Sequence, residues 1–149
     1  MSLRSIWQRL RDRVQPGRAG SPLPEHLRRG RLGEEAARRH LVRSGLKFLA
    51  ANVGSRRGEL DLVFRDADCL VFVEVKTRSS EAWNRPAAAV NAAKRRRLSR
   101  AALDYLARLR YPAVKVRFDI VEVLLAGDEV REVRHLPNTF PLSTPLRYG

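Results

Sequence analysis

A chain of 149 residues with one cysteine, Cys69, is long enough for one domain with short arms and excludes an internal disulfide. Thirty Lys and Arg against 16 Asp and Glu leave a formal charge of +14, which points to a polyanionic partner, nucleic acid or anionic lipid, although a composition biased toward arginine raises the same count. No apolar run reaches the roughly 20 residues of a membrane span, no secretory apolar segment follows Met1, and His26, His40 and His135 lack zinc spacing, so the expected address is the cytoplasm.

In chain order, residues 1–28 read as an arm. Leu3, Ile6, Trp7, Leu10 and Val14 recur at helical spacing among arginines, a short basic amphipathic helix that would dock on the domain, lie on a membrane surface or touch nucleic acid. "QPGRAGSPLPEH" reads as a linker. A helix is expected from about Arg31 to Ser44, with Gly45 as its stop and Leu32, Ala36, Ala37, His40 and Leu41 as its apolar stripe. "LKFLAANV" is a strand, "GSRRG" a basic turn, and "ELDLVF" and "LVFVEV" are strands joined by the loop "DADC". After a loop, "SSEAWNRP", a long helix is expected from Pro86 to about Arg110, with Val90, Leu98, Ala102, Tyr105 and Leu109 on one side and Lys94, Arg95, Arg96, Arg97 and Arg100 on the others. "VKVRFDIVEVLL" is a fourth strand, turned at Ala126–Gly127–Asp128 into a weaker fifth, "EVREVRHL", and the tail from Pro137 is expected to be irregular. The order α-β-β-β-α-β-β implies an α/β domain with a small central sheet.

Pairing the two central strands across Asp66–Cys69 sets Leu60, Leu62 and Phe64 against Val75, Val73 and Val71, a wholly apolar face. The other face then pairs Val63 with Phe72, Asp61 with Glu74 and Glu59 with Lys76. A slip of one residue would mix charged and apolar positions on both faces, so the pattern selects this register. It leaves two carboxylates, Asp61 and Glu74, side by side. Like charges opposed across strands destabilise by roughly 0.2–1 kcal/mol, and a hard divalent cation such as Mg²⁺, which takes oxygen ligands, would relieve that. Lys76 projects the same way. Alternating charge is also what an ordinary solvated sheet face carries, with Glu59–Lys76 and Glu74–Lys76 as weak ion pairs. On the first helix Glu34 lies about 20° from Leu41, at the border of the apolar stripe, and is the candidate third acid; a first-turn glutamate favoured by the helix dipole is the alternative.

"GEEAARRHL", "NVGSRRGELDLVF", "LVFVEVKTR", "AVNAAKRRRLSRAALDYL" and "VRFDIVEV", in that order between about Gly30 and Leu136, resemble the bacterial YraN-like family. That family is similar to the archaeal Holliday-junction resolvases and to the PD-(D/E)XK nuclease-like superfamily. "GELD" followed by "VEVKTR" at this separation is the specific part. The resemblance implies a restriction-endonuclease-like fold, a mixed central sheet of about five strands flanked by helices, filling a nuclease-like domain over 29–137 with an irregular tail over 138–149. It implies Asp61 and Glu74 as Mg²⁺ or Mn²⁺ ligands with the Val75 carbonyl as a further one, Lys76 as the catalytic lysine and Glu34 as the helix-borne acid. Leu60 stands where the superfamily's name has proline.

Basic residues surround the expected site: Arg56 and Arg57 before Asp61, Arg78 after Lys76, and Lys94, Arg95 and Arg96 on the long helix. Arginine suits bidentate phosphate contact. Trp83 would stack on an exposed base or anchor its loop. The expected function is a metal-dependent endonuclease cutting DNA, at junctions by resemblance alone, and as a homodimer if so. The alternative is a nucleic-acid-binding protein that keeps the fold without the catalysis. Cys69 reads as incidental, and Asp119 as a partner of Arg117 rather than a ligand.

Overall fold

The structure, a computed structural model, describes residues 22–79 and 90–142 together with Arg4, Trp7 and Gln8. Two helices, α1 (Glu25–Arg43) and α2 (Ala92–Arg108), cover the two faces of a five-stranded mixed sheet. Its strands are β1 (Lys47–Ser55), β2 (Gly58–Asp66), β3 (Cys69–Ser79), β4 (Lys115–Ala126) and β5 (Glu129–Phe140). They lie side by side in chain order, every neighbouring pair antiparallel except β3 with β4, whose parallel pairing spans the segment that carries α2.

Helix α1 starts six residues before the expected Arg31. Pro24 sits extended directly ahead of it, Glu25 brings negative charge to the first turn, and His40 and Arg43 bring basic groups to the last. The helix stops where glycine predicted. Gly45 takes a left-handed φ of 98°, its N–H bonds to the Val42 carbonyl and the Leu46 N–H to that of Leu41, the two bonds of a Schellman end. Leu41 and Leu46 then pack in one cluster with Ala37, Leu62, Phe64, Val71, Val73, Val121, Val123 and Leu125, the core between α1 and the sheet. Each such leucine, fully buried, contributes about 1.5–3 kcal/mol relative to exposure.

The opposite face is equally covered. Val63, Leu70, Phe72, Phe118 and Ile120 meet Leu98, Ala101, Ala102, Tyr105 and Leu106 of α2. The apolar residues of α2 recur every three or four positions as expected, but the helix begins at Ala92, with Asn91 as its cap accepting from the Lys94 N–H at 2.8 Å. Val90 is buried ahead of the helix rather than within it, and Pro86 and Trp83 lie outside the described residues. Trp7 of the basic arm is described and buried in this same core, with the Arg65 guanidinium 4.4 Å over its ring, so at that residue the arm docks on the domain. The other residues of the arm's apolar stripe lie outside the described ones.

The expected irregular tail is a strand as far as Phe140. Proline ends interior strands but is tolerated at an edge or bulge, and β5 is an edge strand. The ladder with β4 shifts between Phe118 and Ile120, opposite Pro137–Thr139, where Asn138 adopts a positive φ of 53°. The strand then resumes, and Phe140 stacks on Phe118 with centroids 4.6 Å apart. The boundaries expected at 28/29 and 137/138 therefore cut through α1 and β5. The β2–β3 connection is also tighter than "DADC" suggested: Asp66 and Cys69 pair, leaving Ala67 and Asp68 as the turn, with Ala67 at a φ of 51°.

Candidate functional site

The hairpin register is the expected one where the ladder is formed: Leu62 faces Val73, Val63 faces Phe72 and Phe64 faces Val71. It stops there. The expected Leu60–Val75, Asp61–Glu74 and Glu59–Lys76 pairs are not part of the ladder; Leu60 packs on the α2 side, while Val75 packs against the α1 core. At this departure of β2 from β3 the Asp61 side chain takes over, its Oδ2 accepting the Val75 N–H at 2.9 Å. Asp61 and Glu74 thus converge at the place where two strands part. With Gly58, Glu59, Lys94, Arg97 and Leu98 they line a cavity of about 220 Å³ between the sheet and the start of α2.

The electrostatics of this pair are unfavourable as they stand. Burial, then the charge of Glu74 and of Glu34, pushes the Asp61 carboxyl up to about 8, against the pull of the Val75 hydrogen bond. Glu74 is 9% exposed and carries the Lys94 ammonium on its Oε1. Glu34 comes from α1, over the other face. Burial raises its carboxyl, a hydrogen bond from Asn52 opposes this, and the charges of Glu59 and Glu74 raise it further. Glu34 therefore bears on the group through its charge. Among the described residues no three His, Cys, Asp or Glu side chains close into a ready metal-holding cluster. Lys76 is half-buried, and burial followed by the charges of Arg78 and Lys94 lowers its ammonium below the ordinary range.

Two glycines, neither singled out by the sequence reading, bring the helices this close. A Cβ on Gly33 would lie 1.9 Å from Thr77 Oγ1, so α1 touches β3 there and delivers the adjacent Glu34 to the sheet end. A Cβ on Gly58 would meet the Arg97 carbonyl at 3.0 Å, so β2 enters the cavity against α2. Their signal in the sequence is position alone, glycine one residue before Glu34 and three before Asp61.

The expected phosphate-binding residues divide into two groups. Arg57 grips Asp104 on α2, with Nη2 at 2.5 Å from Oδ1. Arg78 is 18% exposed and lies 3.6 Å from the buried Glu122, and Lys94 is held by Glu74. Arg95 donates to the Val90 carbonyl at 2.7 Å. Arg97, which lines the cavity, is exposed, as are Arg96 beside it on α2 and Arg56 in the β1–β2 turn. Glu122, one strand over from Lys76 and 1% exposed, is a site neighbour the sequence reading missed, because its place beside Lys76 depends on the β3–β4 register. Asp119 is fully buried and paired with Arg117, as expected, and also with His135 at 2.7 Å and the Asn138 N–H at 2.9 Å.

A protein-family profile described as "Uncharacterised protein family UPF0102" matches residues 33–123, from Gly33 through the strand bearing Glu122. Similar proteins include a UPF0102 protein of Symbiobacterium thermophilum, 47% identical over 74% of this chain and 94% of the relative. Another, from Syntrophotalea carbinolica, is 45% identical over 78% of this chain and 94% of the relative. A third, from Porphyromonas gingivalis, is 41% identical over 84% and 98%.

Proposed function

The chain belongs to the uncharacterised protein family UPF0102, the YraN-like family its motifs resemble, and from that premise we propose a divalent-metal-dependent endonuclease acting on DNA phosphodiesters. One observation carries the reading: Asp61 and Glu74 converge in a small cavity, with Lys76 two residues on along the same strand, on a chain of charge +14. The donor set fits Mg²⁺ or Mn²⁺, since Asp61, Glu74 and the Val75 carbonyl offer oxygen only. A buried pair of carboxyls, one pushed up to about 8 by burial and then by the other's charge, and which already attracts an ammonium, is relieved by a cation.

Bound there, the metal would supply Lewis-acid activation of water and of the phosphate. The rest falls to the chain. Asp61 and Glu74 fix the cation's position, the Val75 N–H orients the Asp61 carboxylate, and Lys76 brings positive charge toward the phosphate as negative charge develops. Glu34 adds negative charge from α1 and tightens the hold on a cation. Arg56, Arg96 and Arg97 bind the backbone without reading bases. Four-way and other branched DNA are substrates suggested by the resolvase resemblance, and cutting a junction symmetrically would call for a homodimer.

Purified protein incubated with Mg²⁺ or Mn²⁺ and a panel of duplex, single-stranded, flap and four-way DNA tests this, with Lys76→Ala alongside. Cleavage reduced about 100-fold or more by the substitution is expected; equal cleavage by both proteins would mark a contaminant. A second reading, a binding protein that retains the fold, draws on the Lys94–Glu74 pair, an internal cation where a metal ligand is needed. On that reading wild type cuts nothing, and Asp61→Ala holds DNA as well as wild type does.

A further inference from the structure

The ammonium on Glu74 stands on the first turn of α2, and its setting is unusual. Asn91 caps the helix through the Lys94 N–H, and no acidic residue occupies the first turn. The positive end of the helix dipole disfavours a cation there and favours an anion. Lys94, followed by Arg95, Arg96 and Arg97, therefore sits where phosphate would be the natural counter-charge. It pairs instead with a carboxylate that is 9% exposed and itself crowded by Asp61. Two unfavourable placements offset each other: a buried carboxylate crowded by another carboxyl, and a cation at a helix N-terminus.

We propose that Lys94 is an exchangeable counter-ion: it holds Glu74 until a divalent cation takes that carboxylate, and is then released to bind a phosphate of the nucleic acid. The inference rests on the metal-site reading of Asp61 and Glu74. It couples the two bindings in one direction. Metal frees the ammonium for phosphate, and phosphate draws the ammonium off Glu74, so each ligand strengthens the other. Lys94 is paired with Glu74 and lines the same cavity.

The test compares Mn²⁺ affinity by calorimetry in wild type, Lys94→Met and Lys94→Gln, the last keeping a polar stem without the charge, with Asp61→Asn as control. Removing the competing charge should tighten Mn²⁺ binding about tenfold in both Lys94 variants. The same substitutions, made on a Lys76→Ala background and titrated with a short duplex in Mn²⁺, should weaken DNA binding and lower the log–log salt slope by about one. Opposite signs for the two ligands are what a merely destabilised fold would not give. Mn²⁺ binding no tighter in folded Lys94→Gln than in wild type overturns the exchange while leaving the metal site intact. Wild-type-like Mn²⁺ binding by Asp61→Asn overturns the metal site itself, and the exchange with it.

Discussion

Asp61 is held in the fold at a cost that depends on pH. Its carboxyl, ordinarily near 3.8, is pushed to about 8 by burial and by Glu74. The folded state therefore keeps a proton that the unfolded chain releases, and stability falls as pH rises between those values. Asn at this position cannot ionise and escapes the loss. Asp61→Asn is expected to match wild type near pH 4 and to exceed it by more than about 1 kcal/mol at pH 9, since each pKa unit corresponds to about 1.4 kcal/mol. Urea denaturation in a chelator across that range measures it, and parallel curves for the two proteins would sink the account. Millimolar Mn²⁺ should reverse the order, stabilising wild type through binding to the folded state alone.

At the level of elements, the site depends on how closely α1 lies on β3. Gly33→Ala puts a methyl into the Thr77 side chain, whose branched Cβ leaves it no room to swing away. A loss of about 1–3 kcal/mol is expected from overpacking, read from the denaturation midpoint. A Thr77→Ser or Thr77→Ala change in the same chain should recover part of it, and an unchanged midpoint in Gly33→Ala would mean that the helix sits farther from the strand. Asp119 plays the corresponding part at the other end of the sheet, tying Arg117 on its own strand to His135 and the Asn138 bulge on β5. Burial alone would raise its carboxyl, but the His135, Arg117 and Asn138 hydrogen bonds outweigh that and hold it below the ordinary range. Its stabilisation is then present above the unfolded value near 4 and lost as pH falls through the lower folded value. Asp119→Asn should cost about 3–5 kcal/mol at neutral pH, as expected when one partner of a buried charged network is removed. It should also flatten the acid limb of the stability curve. An acid limb of unchanged steepness would place that linkage elsewhere.

For the molecule as a whole, most of the excess of 14 positive charges falls on the two helices and the β1–β2 turn, so the cavity's acids sit in a basic surround. Such an arrangement attracts a polyanion without regard to sequence, and its affinity must fall steeply with salt. Binding of the Lys76→Ala protein to random duplexes, followed from low to high salt, should give a linear log–log plot. Arg96→Ala should lower the slope by about one without changing preference among sequences. A slope unaffected by Arg96→Ala would remove that residue from the interface. No helix among the described residues is long and apolar enough to cross a membrane.

The sequence by itself determined the element order, the hairpin register as far as Leu62–Val73, and that Asp61 and Glu74 share a site. Side chains on a strand alternate with period two, and only one pairing puts Leu62, Phe64, Val71 and Val73 on one face. It also placed the end of α1, since Gly45 alone there takes a left-handed φ freely. Tertiary structure decided what depends on segments far apart in the chain. Pro137 is accommodated because β5 is an edge strand with a bulge tied to Asp119, and no local propensity reports that. Glu34 bears on the acids through its charge because the packing of α1 on the sheet brings it near them. Lys94 pairs with Glu74, 20 residues away, because Gly58 lets β2 press against α2 and the capped first turn of α2 then overhangs β3. Local patterns fix which way a side chain faces along its own element; which charge it meets is set by how the elements pack.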